Sequence, residues 1–202
     1  MWSSTEIRDA YQRVRDEVGP GVTVVCAGKY VPLEEVDRLA EAGVEIIGEN
    51  RAQDLAAKHE RFADRFRWHF IGHLQSRKAP LVSDLCELCH SLDSLSAARK
   101  LRIPALVEVN LAGEESKSGV PTAELAAFLR AVRELGVDVR GLMTMPPLTT
   151  DPEQSRPYFR ELALLAGEHG LSELSMGTTQ DYRVGAEEGA TLVRVGSVLF
   201  GR

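Results

Sequence analysis

The sequence predicts an α/β protein of the (β/α)8 TIM-barrel class, and three observations carry that prediction. Eight short runs of apolar and β-branched residues alternate strictly with segments of helical period, a helix before each run. That is the pattern of a parallel sheet with helices outside it. Eight units of about 25 residues each are the number that closes such a sheet into a barrel. The Gly-x-Gly-x-x-Gly turn expected after the first strand of an open doubly wound sheet is absent.

Taken in order, Ile7, Tyr11, Val14 and Val18 recur at helical spacing, so 4–18 is an amphipathic helix with Ser3 or Ser4 as its N-cap. The first strand, 22–29, is a nearly continuous apolar run between Gly21 and Pro32, as a strand buried on both faces reads. It delivers Lys29 to the carboxyl end of the sheet. Pro32 opens a helix that Gly43 stops, and the second strand, 44–48, ends in Gly48-Glu49-Asn50. A polar helix to about Phe66 leads into the third strand, 68–72, with His73, Gln75 and Ser76 at its exit. The fourth strand spans 85–92, and a helix follows over 94–101. In the fifth, 104–109, Leu106, Glu108 and Asn110 share one face, and a loop over 113–119 precedes an amphipathic helix over 121–135. The sixth strand, 140–145, is closed by Pro146-Pro147 and followed by a helix over 152–169. The seventh is 171–176, with a turn over 177–180 and a short helix over 181–188. The last strand, 191–195, runs into Gly196-Ser197.

Composition narrows the function. The 202 residues suit one domain, expected to act as a monomer, and the net charge of -6 is spread among mixed signs. No nucleic-acid surface is expected, whereas a small anion needs only a local site. The amino terminus lacks the basic and apolar regions of a signal peptide, and no apolar run reaches the ~18 residues of a membrane span. A cytoplasmic protein without a membrane partner is expected. Cys26, Cys86 and Cys89 are an odd set that fits a reducing compartment. Read as strand positions, Cys86 and Cys89 face opposite ways, and no second pair has metal-ligand spacing, so no metal site is expected.

The strand exits of a barrel hold its chemistry, and here they carry Lys29, Asn50, His73, Asn110, Thr144, Ser175 with Gly177, and Arg194 with Gly196 and Ser197. A lysine at the end of a buried run is expected to be desolvated and nucleophilic, able to form a Schiff base with a carbonyl compound such as pyridoxal 5'-phosphate (PLP). The ordinary alternative is a strand-end lysine snorkelling to water. Ser175, Thr179 and Gly196-Ser197 follow the seventh and eighth strands, where barrels frequently bind phosphate through glycine N–H groups and hydroxyls. Arg194 alternates with Leu192 and Gly196 and so points into the barrel, where it needs an acceptor. The pyridine nitrogen of PLP is one candidate and Glu108 the structural alternative. Asn50, His73 and Asn110 also have ordinary readings, as a helix cap, a loop hydrogen bond and a turn.

Nine blocks in order carry a family resemblance. They are Cys26-Ala-Gly-Lys29-Tyr-Val-Pro32, Gly48-Glu-Asn50, Trp68-His-Phe-Ile-Gly-His-Leu-Gln-Ser76, Val109-Asn110, Gly113-Glu-Glu-Ser-Lys-Ser-Gly119, Gly141-Leu-Met-Thr-Met-Pro146, Arg156-Pro-Tyr-Phe159, Leu174-Ser-Met-Gly177 and Val193-Arg-Val-Gly-Ser197. From about residue 22 to the end the chain resembles the pyridoxal phosphate homeostasis protein family. The resemblance implies an alanine racemase N-terminal domain-like barrel with PLP as cofactor and Lys29 as the Schiff-base lysine. It also implies phosphate contacts at Ser175, Thr179, Gly196 and Ser197, Arg194 near the pyridine nitrogen, and a non-catalytic role in buffering and supplying PLP. Gly28 stands where the family usually has serine, and Thr178-Thr179-Gln180 where Met-Ser and an acidic residue are common.

The expected function is therefore a PLP carrier, with PLP-dependent apo-enzymes as recipients. A racemase of this type borrows a second domain and a tyrosine from its partner subunit, and a chain ending soon after its eighth strand is expected to lack them. The alternative is a small PLP-dependent racemase or lyase with Lys29 or His73 as base; a third is a PLP-independent Schiff-base aldolase. Lys117, between two serines in the loop 113–119, is a candidate amine for releasing PLP, or else an ordinary exposed lysine beside Glu114 and Glu115.

Overall fold

The strands are buried on both faces, and alternate residues along them fall into two apolar clusters, one inside a ring of strands and one between the ring and its helices. The computed structural model describes residues 2–114 and 118–201. Its strands are β1 (Thr23–Ala27), β2 (Ile46–Glu49), β3 (Arg67–Phe70), β4 (Leu88–Leu92), β5 (Ala105–Asn110), β6 (Val120–Pro121), β7 (Val139–Met143), β8 (Glu173–Thr178) and β9 (Leu192–Val195). All pair in parallel. The ring closes through β4–β5 on one side and β1–β9 on the other, while the two-residue β6 pairs with β5 outside it.

Inside the ring, Val25, Ile46, Leu88, Leu106, Met143 and Leu192 form a small apolar layer. Their chain neighbours Val24, Cys26, Ile47, Val107 and Val193 face outward into the larger cluster with the helices. Those helices are α1 (Ser4–Val18), α2 (Val36–Glu41), α3 (Ala52–Phe62), α4 (Ala79–Leu85), α5 (Leu95–Ala98), α6 (Leu125–Glu134), α7 (Arg156–Glu168) and α8 (Tyr182–Glu187). In α1 the buried face is Ile7, Tyr11, Val14 and Val18, each contributing about 1.5–3 kcal/mol by leaving water. Its N-cap is Ser3, in a reciprocal capping box with Glu6.

The eight barrel strands predicted from sequence are all present, with two corrections. The first ends at Ala27 rather than Lys29. Gly28–Tyr30 is a single 3-10 turn, closed by the Val31 N–H bonding the Gly28 carbonyl at 2.9 Å, which takes Gly28 out of the ladder. The fourth strand begins at Leu88, because α4 runs through Leu85 and Cys86 is its C-cap. Cys86 and Cys89 therefore do not share a strand. All three thiols are buried, which pushes Cys26 up to about 12 and Cys89 to about 11 and keeps them protonated. Among the described residues no helix is long and apolar enough to cross a membrane.

Candidate functional site at the carboxyl mouth of the barrel

A cavity of about 430 Å³ opens where the strands end. Seven of the residues predicted from sequence line it: Lys29, Asn50, His73, Thr179, Arg194, Gly196 and Ser197. Ser175 and Gly177 do not. A second cavity, of about 610 Å³, opens at the opposite mouth, where Arg67 pairs with Glu87 at 2.6 Å and Arg140 with Asp138 at 2.9 Å.

Lys29 follows Gly28 in the 3-10 turn and is exposed, so the expectation of a desolvated lysine is corrected. The strand stops two residues short, and the turn carries the side chain to the rim of the cavity instead of leaving it at a buried strand end. On the neighbouring exits Asn50 keeps a buried Oδ1 with no hydrogen-bond partner among the described residues. His73 is exposed, with Nδ1 3.4 Å from Asp93 Oδ2. Asn110 and Thr144 support the mouth rather than line it. Asn110 Nδ2 donates to the Glu114 carbonyl at 2.9 Å, the turn-holding role among its alternatives, and Thr144 Oγ1 donates to the Val109 carbonyl at 3.0 Å.

Arg194 points into the barrel, as its alternation with Leu192 predicts, and is 5% exposed. Its Nη2 donates to the Thr144 carbonyl at 2.9 Å and lies 3.1 Å from Met145 Sδ. Its Nη1 is buried and has no acceptor among the described residues. Burial pulls the guanidinium down to about 10, with Glu108 and Asp181 acting against it, so it stays charged at neutral pH. Glu108 also lines the cavity; burial holds its carboxyl above the usual range, and Ser118 Oγ donates to it at 2.8 Å.

The loops after β8 and β9 are tied together by hydroxyls and one carboxylate. Asp181 accepts from the Thr178 N–H at 2.7 Å, from Thr178 Oγ1 at 3.0 Å and from Ser155 Oγ at 2.7 Å. This folds the segment over 178–181 into a turn. Thr179 Oγ1 then accepts the Gly196 N–H at 3.1 Å and the Val198 N–H at 3.4 Å, and keeps its own proton to donate. Gly177 bends the chain at φ +92°, and a Cβ there would stand 2.8 Å from Tyr182 Cα, so glycine lets α8 close on this loop.

Ser175 has a different task. Its Oγ lies 2.8 Å from His90 Nδ1; His90 Nε2 lies 2.9 Å from His69 Nδ1; and His69 Nε2 lies 3.0 Å from Glu87 Oε1. The ionised carboxylate can only accept, so His69 carries its proton on Nε2 and accepts at Nδ1. His90 then donates from Nε2 and accepts at Nδ1, and the Ser175 hydroxyl donates to it. The proton of Ser175 is thus committed inside the barrel, which corrects its expected place among the free phosphate donors. His69 and His90 are inward residues of β3 and β4 that the sequence reading passed over. Their alternation with Ile71 and Leu88 was the available signal.

A family model described as alanine racemase, N-terminal domain, matches residues 3–202, which sets the class of this barrel. Against the pyridoxal phosphate homeostasis protein of Aquifex aeolicus the chain is 37% identical, covering 98% of itself and 95% of that protein. Against that of Pseudomonas aeruginosa it is 36% identical, covering 98% and 91%. The chain belongs to the pyridoxal phosphate homeostasis protein family. The structure of PipY from Synechococcus elongatus, known without PLP and with PLP bound, superposes with a TM-score of 0.88 at 31% identity, covering 96% of this chain and all of that one. A lysine/ornithine decarboxylase from Vibrio vulnificus shares the fold, with a TM-score of 0.74 at 16% identity.

Proposed function

We propose that this protein binds pyridoxal 5'-phosphate and serves to buffer and supply it, without catalysis of its own. The observation that carries the reading is Arg194 Nη1, a charged donor buried at the cavity with no acceptor among the described residues. A pyridine nitrogen is an acceptor of the right kind. The phosphate would take the Thr179 and Ser197 hydroxyls, with the Gly196 N–H, given to Thr179 Oγ1, holding the threonine in place rather than reaching the phosphate itself, and Lys29 would hold the aldehyde carbon as a Schiff base, with loss of water. What PLP supplies when bound is an aldehyde that condenses with amines and a ring able to draw electrons. A guanidinium that stays charged donates to the ring nitrogen rather than protonating it, which leaves the ring a weak electron sink. The PLP-bound structure of PipY and the names of the relatives support the cofactor.

Recipients of the PLP would be apo-enzymes that present their own lysine. Lys117, the candidate for that release step, lies outside the described residues, so it remains a proposal from sequence. The test of the anchor is borohydride reduction in the presence of PLP, followed by mass spectrometry. One PLP should be fixed on Lys29 and lost in Lys29→Ala, with the fold retained. A full equivalent on another lysine would refute the assignment.

His73, in the same cavity as Lys29 and beside Asp93, is the observation that favours a second reading, a small racemase or lyase. Incubating the PLP-loaded protein with alanine or serine in deuterated water separates the two. Rapid exchange of the α-hydrogen would replace the carrier with an enzyme.

A further inference from the structure

The turn that presents Lys29 is clamped from behind by a buried ion pair. Glu49, the last residue of β2, has no exposed surface, and Lys58, in α3, is 6% exposed. Lys58 Nζ lies 2.5 Å from Glu49 Oε1 and donates to the Gly28 carbonyl at 2.8 Å. That carbonyl also accepts the Val31 N–H, so one lone pair closes the 3-10 turn and the other anchors the turn to α3. The second oxygen of Glu49 takes the Asn50 N–H at 3.3 Å. Glycine at 28 is what admits the clamp: a Cβ there would stand 2.4 Å from Glu49 Oε1 and 2.9 Å from Ile47 Cγ2.

A buried ion pair is a poor source of stability, since apolar residues of the same volume often serve as well. This pair has a geometric product instead, a fixed carbonyl on the residue immediately before Lys29. We propose that Lys58 and Glu49 are positioning residues for Lys29, holding its turn so that the amine is presented to the cavity in one orientation. Neither lines the cavity, so they act through Gly28 and not on a ligand. The inference rests on Lys29 as the residue that bears PLP.

Two variants test it. Glu49→Gln with Lys58→Met removes both charges together and strands neither, while Glu49→Gln alone keeps the ammonium on the Gly28 carbonyl. Two probes are read. The rate of the borohydride-reducible PLP adduct on the Lys29 peptide reports presentation of the amine. Calorimetric affinity for pyridoxine 5'-phosphate, which has the ring and phosphate but no aldehyde, reports the rest of the site. The double variant should form the adduct roughly tenfold or more slowly, and the single variant should be slowed less. Affinity for pyridoxine 5'-phosphate should stay within about threefold of the native protein in both. Unchanged adduct rates would overturn the proposal, and so would rates and affinities that fall together, since the pair would then only support the barrel. If the double variant does not fold, Glu49→Gln decides by the same two readouts. A native protein that forms no adduct on Lys29 would instead refute the anchor itself, a result no variant can mimic.

Discussion

At Arg194 a single residue carries an unmet donor, and its replacement has a defined consequence. One hydrogen bond from a charged donor to a neutral acceptor is worth about 1.5–3 kcal/mol, so Arg194→Gln should weaken PLP binding roughly ten- to a hundredfold in an equilibrium titration. Unchanged affinity would mean that Nη1 does not meet the ring. Ser175 makes the opposite case. Its hydroxyl proton is given to His90, so Ser175→Ala should leave PLP affinity within about twofold and yet destabilise the fold by about 1–3 kcal/mol in urea, because His90 Nδ1 is left buried without a donor. A large loss of affinity with unchanged stability would reverse that assignment. Arg194 was legible in the sequence because strand alternation alone places it. The role of Ser175 was not, because it is set by an imidazole 85 positions away in the chain.

Among the elements, strands and helices were readable from period and punctuation, and so were both ends of α1, but the end of β1 and the start of β4 were not. The sequence cannot tell that Gly28 leaves the ladder, because its carbonyl is claimed by Lys58 from α3, 30 positions away. The same close fit makes Gly28→Ala informative. The added methyl meets Glu49 and Ile47, and should cost about 1–3 kcal/mol in thermal or urea unfolding. A neutral result would show that the pair yields readily and does not hold the turn. In the loop between β8 and α8, Asp181 accepts three hydrogen bonds, so Asp181→Ala should loosen the segment that carries Thr179. Weaker binding of inorganic phosphate, with the adduct on Lys29 still formed at saturating PLP, is the expected pairing of outcomes. Unaltered phosphate binding would exclude the loop from the anion site.

For the whole molecule, the polar chain through the barrel ties stability to pH. Burial lowers the pKa of His69 and lowers that of His90 well below the ordinary imidazole value, with Glu87 partly supporting charge on His69 and Arg194 opposing it on His90. Folded, both rings stay neutral as the pH falls through about 6.5, while the unfolded chain takes up protons there. Each ring therefore withdraws up to about 1.4 kcal/mol of stability per pH unit below that value, until its folded pKa is reached. The stability is present above about pH 6.5 and lost below it. Glu49 and Glu108, raised by burial, titrate in the opposite sense and offset part of the loss as they protonate. A comparison isolates the His90 imidazole: His90→Gln keeps a donor and an acceptor at the site but cannot titrate. Between pH 7.5 and 5.5 the native protein should lose about 1 kcal/mol more than His90→Gln in urea unfolding. Parallel losses in the two proteins would show that the His90 imidazole is not a source of the acid sensitivity.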